Sequence, residues 1–297
     1  MDINFELYKV FYHVAKSLSF SEASNRLYIS QSAVSQSIKT LEEKINCKLF
    51  IRNTKLVRLT GEGEILFKHV EQAFNFIKAG ERSVKEMHSL KSGEVRIAAS
   101  DTICKYHLLP YFEKFNRMHP HIKIHVTNRT SPKCIELLKS GSVEVAVVNI
   151  PDKGIDKNLT VRKIRTIRDV FVAGRNFEHL RDRKLDLGEL RNYPLLMLEK
   201  NTTTRDFIDR LMERKGISLI PEIELESVDL LIEMAKIGIG VSCVVSDYIE
   251  KELAAGEIFI LNIKEKIPSR RLGVMTNNRI PVPAAVQRFI ELLEPDY

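Results

Sequence analysis

Residues 19–63 read SFSEASNRLYISQSAVSQSIKTLEEKINCKLFIRNTKLVRLTGEG, and this stretch decides the fold of the N-terminal part. Ser30 stands as an N-cap before Gln31. Val34, Ile38, Leu41 and Ile45 then recur at helical spacing, so a helix over 31–45 buries one stripe. Upstream, Ser21 is a candidate N-cap for a short helix to about Leu27, with Ala23 and Leu27 inward and small Ser24 permitting close approach. Tyr28-Ile29 makes the turn, with Ile29 expected in the core. Before it, Leu7, Val10, Phe11, Val14 and Ala15 predict a helix over 5–17. Downstream, Leu49–Leu59 fits a two-stranded wing anchored by Leu49, Phe50 and Leu59.

The exposed face of the 31–45 helix carries Gln31, Ser32, Ser35, Gln36 and Lys39, with Ser30 at its cap. Glutamine pairs bidentately with adenine, serine reaches a base edge or a phosphate, and a helix N-terminus attracts phosphate. A solvated polar face is the usual fate of such residues. Here the cap, the small inward residues and the short turn together favour a helix that enters the major groove. Arg52, Lys55 and Arg58 on the wing would position the reader on the backbone, and the glutamines and serines would specify sequence.

The segment resembles the LysR-type transcriptional regulators. The pattern appears as Ser19-Phe20-Ser21, Ala23, Leu27, Ser30 to Ser35, Ile38, Leu41-Glu42, Leu49-Phe50, Arg52, Leu59-Thr60 and Gly63. Three positions depart from what is common in that family: Ser24 where a second alanine is frequent, Ser32 in place of proline and Gln36 in place of arginine. The last two bear on base preference, so no detailed recognition code is carried over.

Composition agrees with a polyanion partner. Of the net charge of +7, +4 sits in residues 1–60, where nine Lys/Arg face five acids. The four cysteines form no CxxC pair and no metal spacing with histidine, which suits reduced thiols; a redox pair is the weaker alternative. The opening MDINFELYKVF does not read as a signal peptide and no run is apolar enough for a membrane span, so a cytoplasmic protein is expected.

From Glu62 to about Leu90 one helix is expected. Leu66, Val70, Ala73, Ile77, Gly80, Val84 and Met87 alternate by four and three, a coiled-coil stripe that needs a partner. Packing on the chain's own domain is one option; homodimerisation is the favoured one, since two recognition helices could then read two half-sites. In the resembled family this helix is the dimerisation element. Lys91-Ser92-Gly93 breaks it.

Residues 93–297 alternate strands and helices. Strands are expected at 94–99, 122–127, 143–148, 170–173, 195–198, 240–244, 258–263 and 272–275, with helices at 104–118, 132–139, 205–215, 228–237 and 283–293. That order argues for parallel sheet covered on both faces, an α/β fold class overall. Two such halves resemble a periplasmic-binding-protein fold. By resemblance the chain divides into a winged helix-turn-helix domain (1–60), a linker and dimerisation helix (61–90) and a two-lobed effector-binding domain (91–297). The first lobe would span about 91–163 plus 268–297 and the second about 164–267, with two crossings between them.

Ligands in open α/β sheets bind beyond the carboxyl ends of strands. Ser100 and Thr102 follow the first strand, Thr130 and Ser131 the second, and Thr202 and Thr203 follow 195–198; Asn149 and Ser227 hold comparable positions. Each could be an ordinary cap. Their clustering at strand ends in both halves points to a pocket for a carboxylate or other small anion. Ser100, Thr102, Thr202 and Thr203 match pocket positions of the resembled family, and Asp101 departs from the small uncharged residue common there. No cofactor is expected, only a small-molecule effector. No catalytic or metal motif stands out, so an enzyme is not expected. A solute-binding protein is the alternative, but it leaves the N-terminal module unexplained. The expected partners are double-stranded promoter DNA with a dyad-symmetric site, the effector, a second copy as dimer or tetramer, and RNA polymerase.

Overall fold

Why residues 5–59 close on themselves is visible in the caps. A computed structural model describes residues 3–53, 56–88 and 93–293, in two compact units, Met1–Glu81 and Arg82–Tyr297. In the first, α1 (Phe5–Ser17) starts where Asn4 Oδ1 accepts the Glu6 N–H at 2.9 Å. Next, α2 (Phe20–Leu27) is capped by Ser19, whose Oγ accepts the Glu22 N–H at 3.1 Å. The cap is therefore two residues earlier than the expected Ser21, because Phe20 enters the core and takes the first helical position. Tyr28 adopts the left-handed conformation and ends α2, and the Ile29 N–H closes on the Ser24 carbonyl. That closure turns Ile29 outward to 40% exposure, contrary to the expected core placement.

The helix α3 (Gln31–Ile45) forms as expected, with Ser30 Oγ accepting the Ala33 N–H at 3.2 Å. Val34, Ile38 and Leu41 are fully buried. The wing strands β1 (Phe50–Asn53) and β2 (Leu56–Leu59) pair antiparallel, Phe50 opposite Leu59. Then comes α4 (Gly61–His88). Gly63 near its start is obligatory, because a Cβ there would lie 2.2 Å from the Leu49 carbonyl oxygen. Tyr12 stacks on Phe74 at 4.8 Å, which ties α1 to α4.

The second unit contains two five-stranded sheets. Its elements are β3 (Gly93–Ala99), α5 (Asp101–Ile103), α6 (Leu109–Met118), β4 (Ile122–Asn128), α7 (Ser131–Lys139), β5 (Val145–Asn149), β6 (Leu159–Ile167), β7 (Asp169–Gly174) and β8 (Lys184–Leu185). There follow β9 (Leu195–Leu198), α8 (Thr203–Glu213), β10 (Ile223–Leu225), α9 (Val228–Lys236), β11 (Val241–Val245), α10 (Glu250–Ala254), β12 (Ile258–Ile260), β13 (Asn262–Ile263), β14 (Arg270–Asn277) and α11 (Ala284–Leu293). The first sheet runs β4-β3-β5-β14-β6 and the second β10-β9-β11-β7-β12.

Three differences from expectation have physical causes. The sheets are mixed, not parallel: β14 pairs antiparallel with β5 and β6, and β7 with β11 and β12. The chain leaves the first sheet at β6, enters the second at β7, and returns as β14, so the two strands by which it enters a sheet, β7 and β14, run against their neighbours. The expected helix 104–118 starts three residues earlier, with α5, and its first part is a π-turn (Cys104–Leu108) that leads into α6. Pro110 has no N–H to donate to the preceding turn and its ring crowds the carbonyl four residues back. Finally, the charged stretch 159–167 forms β6, an edge strand whose Arg162, Lys163 and Arg165 point to solvent.

Candidate functional sites

In the first unit, Gln31, Ser32, Gln36 and Lys39 are exposed and Ser35 is half-buried, all on the side of α3 away from its core stripe. Ser30 is spent as the cap, and its hydroxyl also meets Ser32 Oγ at 2.8 Å. A shallow groove lined by Ser32, Ser35, Gln36 and Lys39 continues to Glu42, Lys48 and Phe50. Arg58 is exposed on β2. Arg52 lies on β1 with its side chain outside the described residues, as is all of Lys55.

Glu42 belongs to the family pattern, but its work is not visible in the sequence. It is 4% exposed on the inner side of α3. Its carboxylate accepts the N–H groups of Leu49 at 2.9 Å and Phe50 at 3.4 Å, and Lys48 Nζ at 2.9 Å. Burial pushes its pKa up, but those three donors outweigh burial and hold it below the usual carboxylate value. Glu42 thus fixes the start of the wing to the recognition helix, and holds the exposed Lys48 beside the groove. Lys48 was not singled out in the sequence.

The coiled-coil stripe divides. Val70 is buried in the first unit's own core and the half-buried Leu66 packs against it, so both contribute to that core. Ala73 is exposed, as are Ile77 at 45% and Val84 at 58%. Gly80 leaves open space where a Cβ would stand. The Met87 side chain lies outside the described residues.

In the second unit a cavity of about 80 Å³ lies beyond the carboxyl ends of β3, β4 and β5 from one sheet and β9, β10 and β11 from the other. A single water needs roughly 10–15 Å³. Ser100, Thr102, Thr130, Ser131, Asn149, Thr202 and Thr203 all line it. Several of their hydroxyls are already used: Ser100 Oγ accepts the Ile103 N–H, Ser131 Oγ the Asn149 N–H, and Thr202 Oγ1 the Arg205 N–H. Ser227 does not line the cavity, although Glu226 and Val228 do. Its hydroxyl caps α9 by accepting the Leu230 N–H at 3.3 Å, so the structure does not bring it to the cavity wall with the other seven.

The sequence did not reveal Arg270, Tyr248 or Cys243, which also line the cavity. Arg270, at the start of β14, is 6% exposed. Its Nε and Nη2 each donate to Asp169, the first residue of β7, at 2.6 Å. One fully buried ion pair therefore joins the two strands that cross between sheets. Burial opposes the arginine's charge, but Asp169 more than offsets this and raises its pKa. Among the described residues its Nη1 has no partner, and neither has the buried Oδ1 of Asn149.

Beside the cavity the π-turn clasps the second sheet. Tyr106 stacks on Tyr248 at 4.3 Å and donates to Asp229 Oδ1 at 2.7 Å, and His107 Nε2 lies 3.0 Å from the Tyr248 hydroxyl. Burial, with Arg165 nearby, pushes His107 down to about 4. Burial raises Cys104 to about 11 and Cys134 to about 12, and lifts Cys243 well above its ordinary value. Burial thus favours the protonated thiol at all three positions.

Comparison with known proteins covers both units. The family model described as "Bacterial regulatory helix-turn-helix protein, lysR family" matches residues 5–64, and "LysR substrate binding domain" matches 88–296. A probable RuBisCO transcriptional regulator of Trieres chinensis is 27% identical, over 93% of this chain and 91% of its own length. A full-length OxyR variant of Pseudomonas aeruginosa superposes with a TM-score of 0.72 at 17% identity, over 99% of this chain and 95% of that one. CbnR complexed with its target DNA superposes with a TM-score of 0.66 at 18% identity, over 98% and 99%. These likenesses to solved structures establish the fold. The match over residues 5–64 also removes the solute-binding alternative, which had no place for that module.

Proposed function

Because the chain belongs to the LysR-type transcriptional regulators, we propose that it acts in the cytoplasm as a homodimer or homotetramer. Paired α3 helices read a dyad-symmetric promoter site, and a small anionic effector held in the cavity of the second unit controls the outcome at RNA polymerase. The observation that carries the effector reading is the convergence of seven polar residues, from strand ends and helix starts of both lobes, on one cavity. The DNA reading rests on the exposed glutamines and serines of α3, and CbnR, of the same fold, is bound to DNA in its complex. The uncovered Ala73, Ile77 and Val84 on α4 supply the apolar seam for the second copy.

Control is a population shift. The effector prefers one arrangement of the lobes, and its differential affinity sets how far the equilibrium moves. The buried Arg270–Asp169 pair and the Tyr106–Tyr248 clasp are among the contacts between the lobes that such a shift must keep or rearrange. The test is selection of sheared genomic DNA on purified protein, followed by sequencing. Enrichment of a few dyad-symmetric sites supports the proposal; uniform recovery at low salt, with and without cell extract metabolites, rejects it.

A further inference from the structure

Among the described residues Tyr28 is the most exposed large hydrophobic side chain, at 95%. It also holds a left-handed backbone, with φ of 55°. That conformation strains a residue with a Cβ and is used mostly by glycine and asparagine. Two other helix ends of the first unit share it. Asn46 is a residue type that tolerates it, and Leu18 keeps about half of its surface covered by the fold. Neither reason applies to Tyr28. Its ring and hydroxyl have no hydrogen bond, ion pair or ring contact among the described residues. Only its backbone serves the fold, with the N–H closing on the Asn25 and Ser24 carbonyls to end α2. Glycine or asparagine would close that turn with less strain. The side chain thus strains the fold and packs on nothing in it, the pattern expected of a residue that works on a partner.

Its place names the partner. Tyr28 stands two residues before Ser30, the cap of α3, and three before Gln31. The turn is therefore contiguous with the exposed glutamines and serines of the recognition helix. The net +4 charge of residues 1–60 draws a polyanion to this unit. A phenol supplies one O–H donor and a flat apolar ring, which suit a phosphate oxygen and the deoxyribose beside it.

We infer that Tyr28 positions the DNA backbone. Its hydroxyl donates to a phosphate oxygen beside the base pairs that α3 reads, and its ring lies against the sugar. The inference rests on α3 being the reading helix. Backbone contacts set register and carry no sequence information. Tyr28 therefore holds α3 in register without choosing bases.

The test compares the full-length wild type, Tyr28→Phe and Tyr28→Gly on a duplex recovered by genomic selection, in mobility shifts across salt. The phenylalanine variant removes only the hydroxyl. It should bind about three- to tenfold more weakly, the net worth of one hydrogen bond. The loss should be the same on an intact site and on one with a changed base pair. The salt slope should match wild type, since the phenol carries no charge. Methylphosphonate placed at successive backbone positions should reveal one phosphate per half-site that matters to wild type more than to Tyr28→Phe. Tyr28→Gly should bind at least as weakly as Tyr28→Phe, yet unfold at a midpoint no lower than wild type, because glycine relieves the left-handed backbone. A residue with a merely structural role would lose stability and affinity together.

Wild-type affinity in Tyr28→Phe overturns the inference. So do equal methylphosphonate losses in both proteins, or a lowered midpoint in Tyr28→Gly. Unchanged DNA binding with reduced reporter transcription also overturns it, and assigns the side chain to a protein partner. A wild type that does not distinguish the selected site from a scrambled one refutes the reading of α3 itself. A wild type that does, beside an unaffected Tyr28→Phe, refutes only the role of Tyr28.

Discussion

Removing Asp169 should cost more stability than any surface change in this chain. Asp169 is 1% exposed and Arg270 6%, and two bonds of 2.6 Å are their whole mutual compensation. Asp169→Asn keeps the shape but leaves a guanidinium buried without a counter-charge, which costs about 3–5 kcal/mol in comparable sites. With a urea slope of about 2 kcal/mol/M, a loss of about 4 kcal/mol moves the unfolding midpoint down by about 2 M. The chain has no tryptophan, so far-ultraviolet circular dichroism follows the transition. Replacing both partners, Asp169→Leu with Arg270→Met, removes the desolvated charge altogether. The methionine can still pack on Phe207, whose ring lies 5.5 Å from the arginine's Cζ. The double variant should recover to within about 1 kcal/mol of wild type. A single variant within about 1 kcal/mol of wild type, or a double variant as unstable as the single one, refutes the reasoning.

Glu42→Ala leaves the buried Leu49 and Phe50 N–H groups unpaired, so it should lose about 2–3 kcal/mol and weaken DNA binding through the wing; thermal unfolding and a mobility shift check both. His107 is neutral when folded, its value pressed from 6.5 to about 4. Unfolding therefore takes up a proton below the unfolded value. The corresponding stability is complete above about pH 6.5 and is lost as pH falls towards about 4, up to about 3 kcal/mol. Denaturation at about pH 7 and about pH 5 should show this dependence, and His107→Gln should flatten it. Ile77→Asp with Val84→Asp should convert the oligomer to monomers in sedimentation equilibrium, and an unchanged mass would exclude α4 as the seam.

Local chemistry made some elements legible and hid others. The α3 boundaries follow from one serine and a four-three apolar rhythm, both contained within about one helix length. The cap of α2 did not: Ser19 and Ser21 are equal as local signals, and burial of Phe20 chooses between them. Seven pocket residues were visible because strand ends and helix starts announce themselves in sequence. Ser227 carries the same local signal and caps α9, but it does not line the cavity. Arg270 and Asp169 lie 101 positions apart, and each alone resembles a surface charge. Only the double crossing between sheets brings them together. Similarly, Glu42 reads as a helix-surface acid until the chain returns at Leu49 to place two N–H groups beside it. In 159–167, three cations on an edge strand obscured the alternation that ends in buried Leu159 and Ile167.

The central claim is that the exposed N-terminal face of α3 reads bases. The most direct measurement takes the sites recovered from genomic selection and compares affinity for an intact site with that for a scrambled one, across salt, for wild type and Gln31→Ala. The expected result is a specificity ratio reduced by about 1–3 kcal/mol with an unchanged salt slope, since Gln31 carries no charge. A ratio equal to wild type would contradict the account and place sequence reading elsewhere on the molecule.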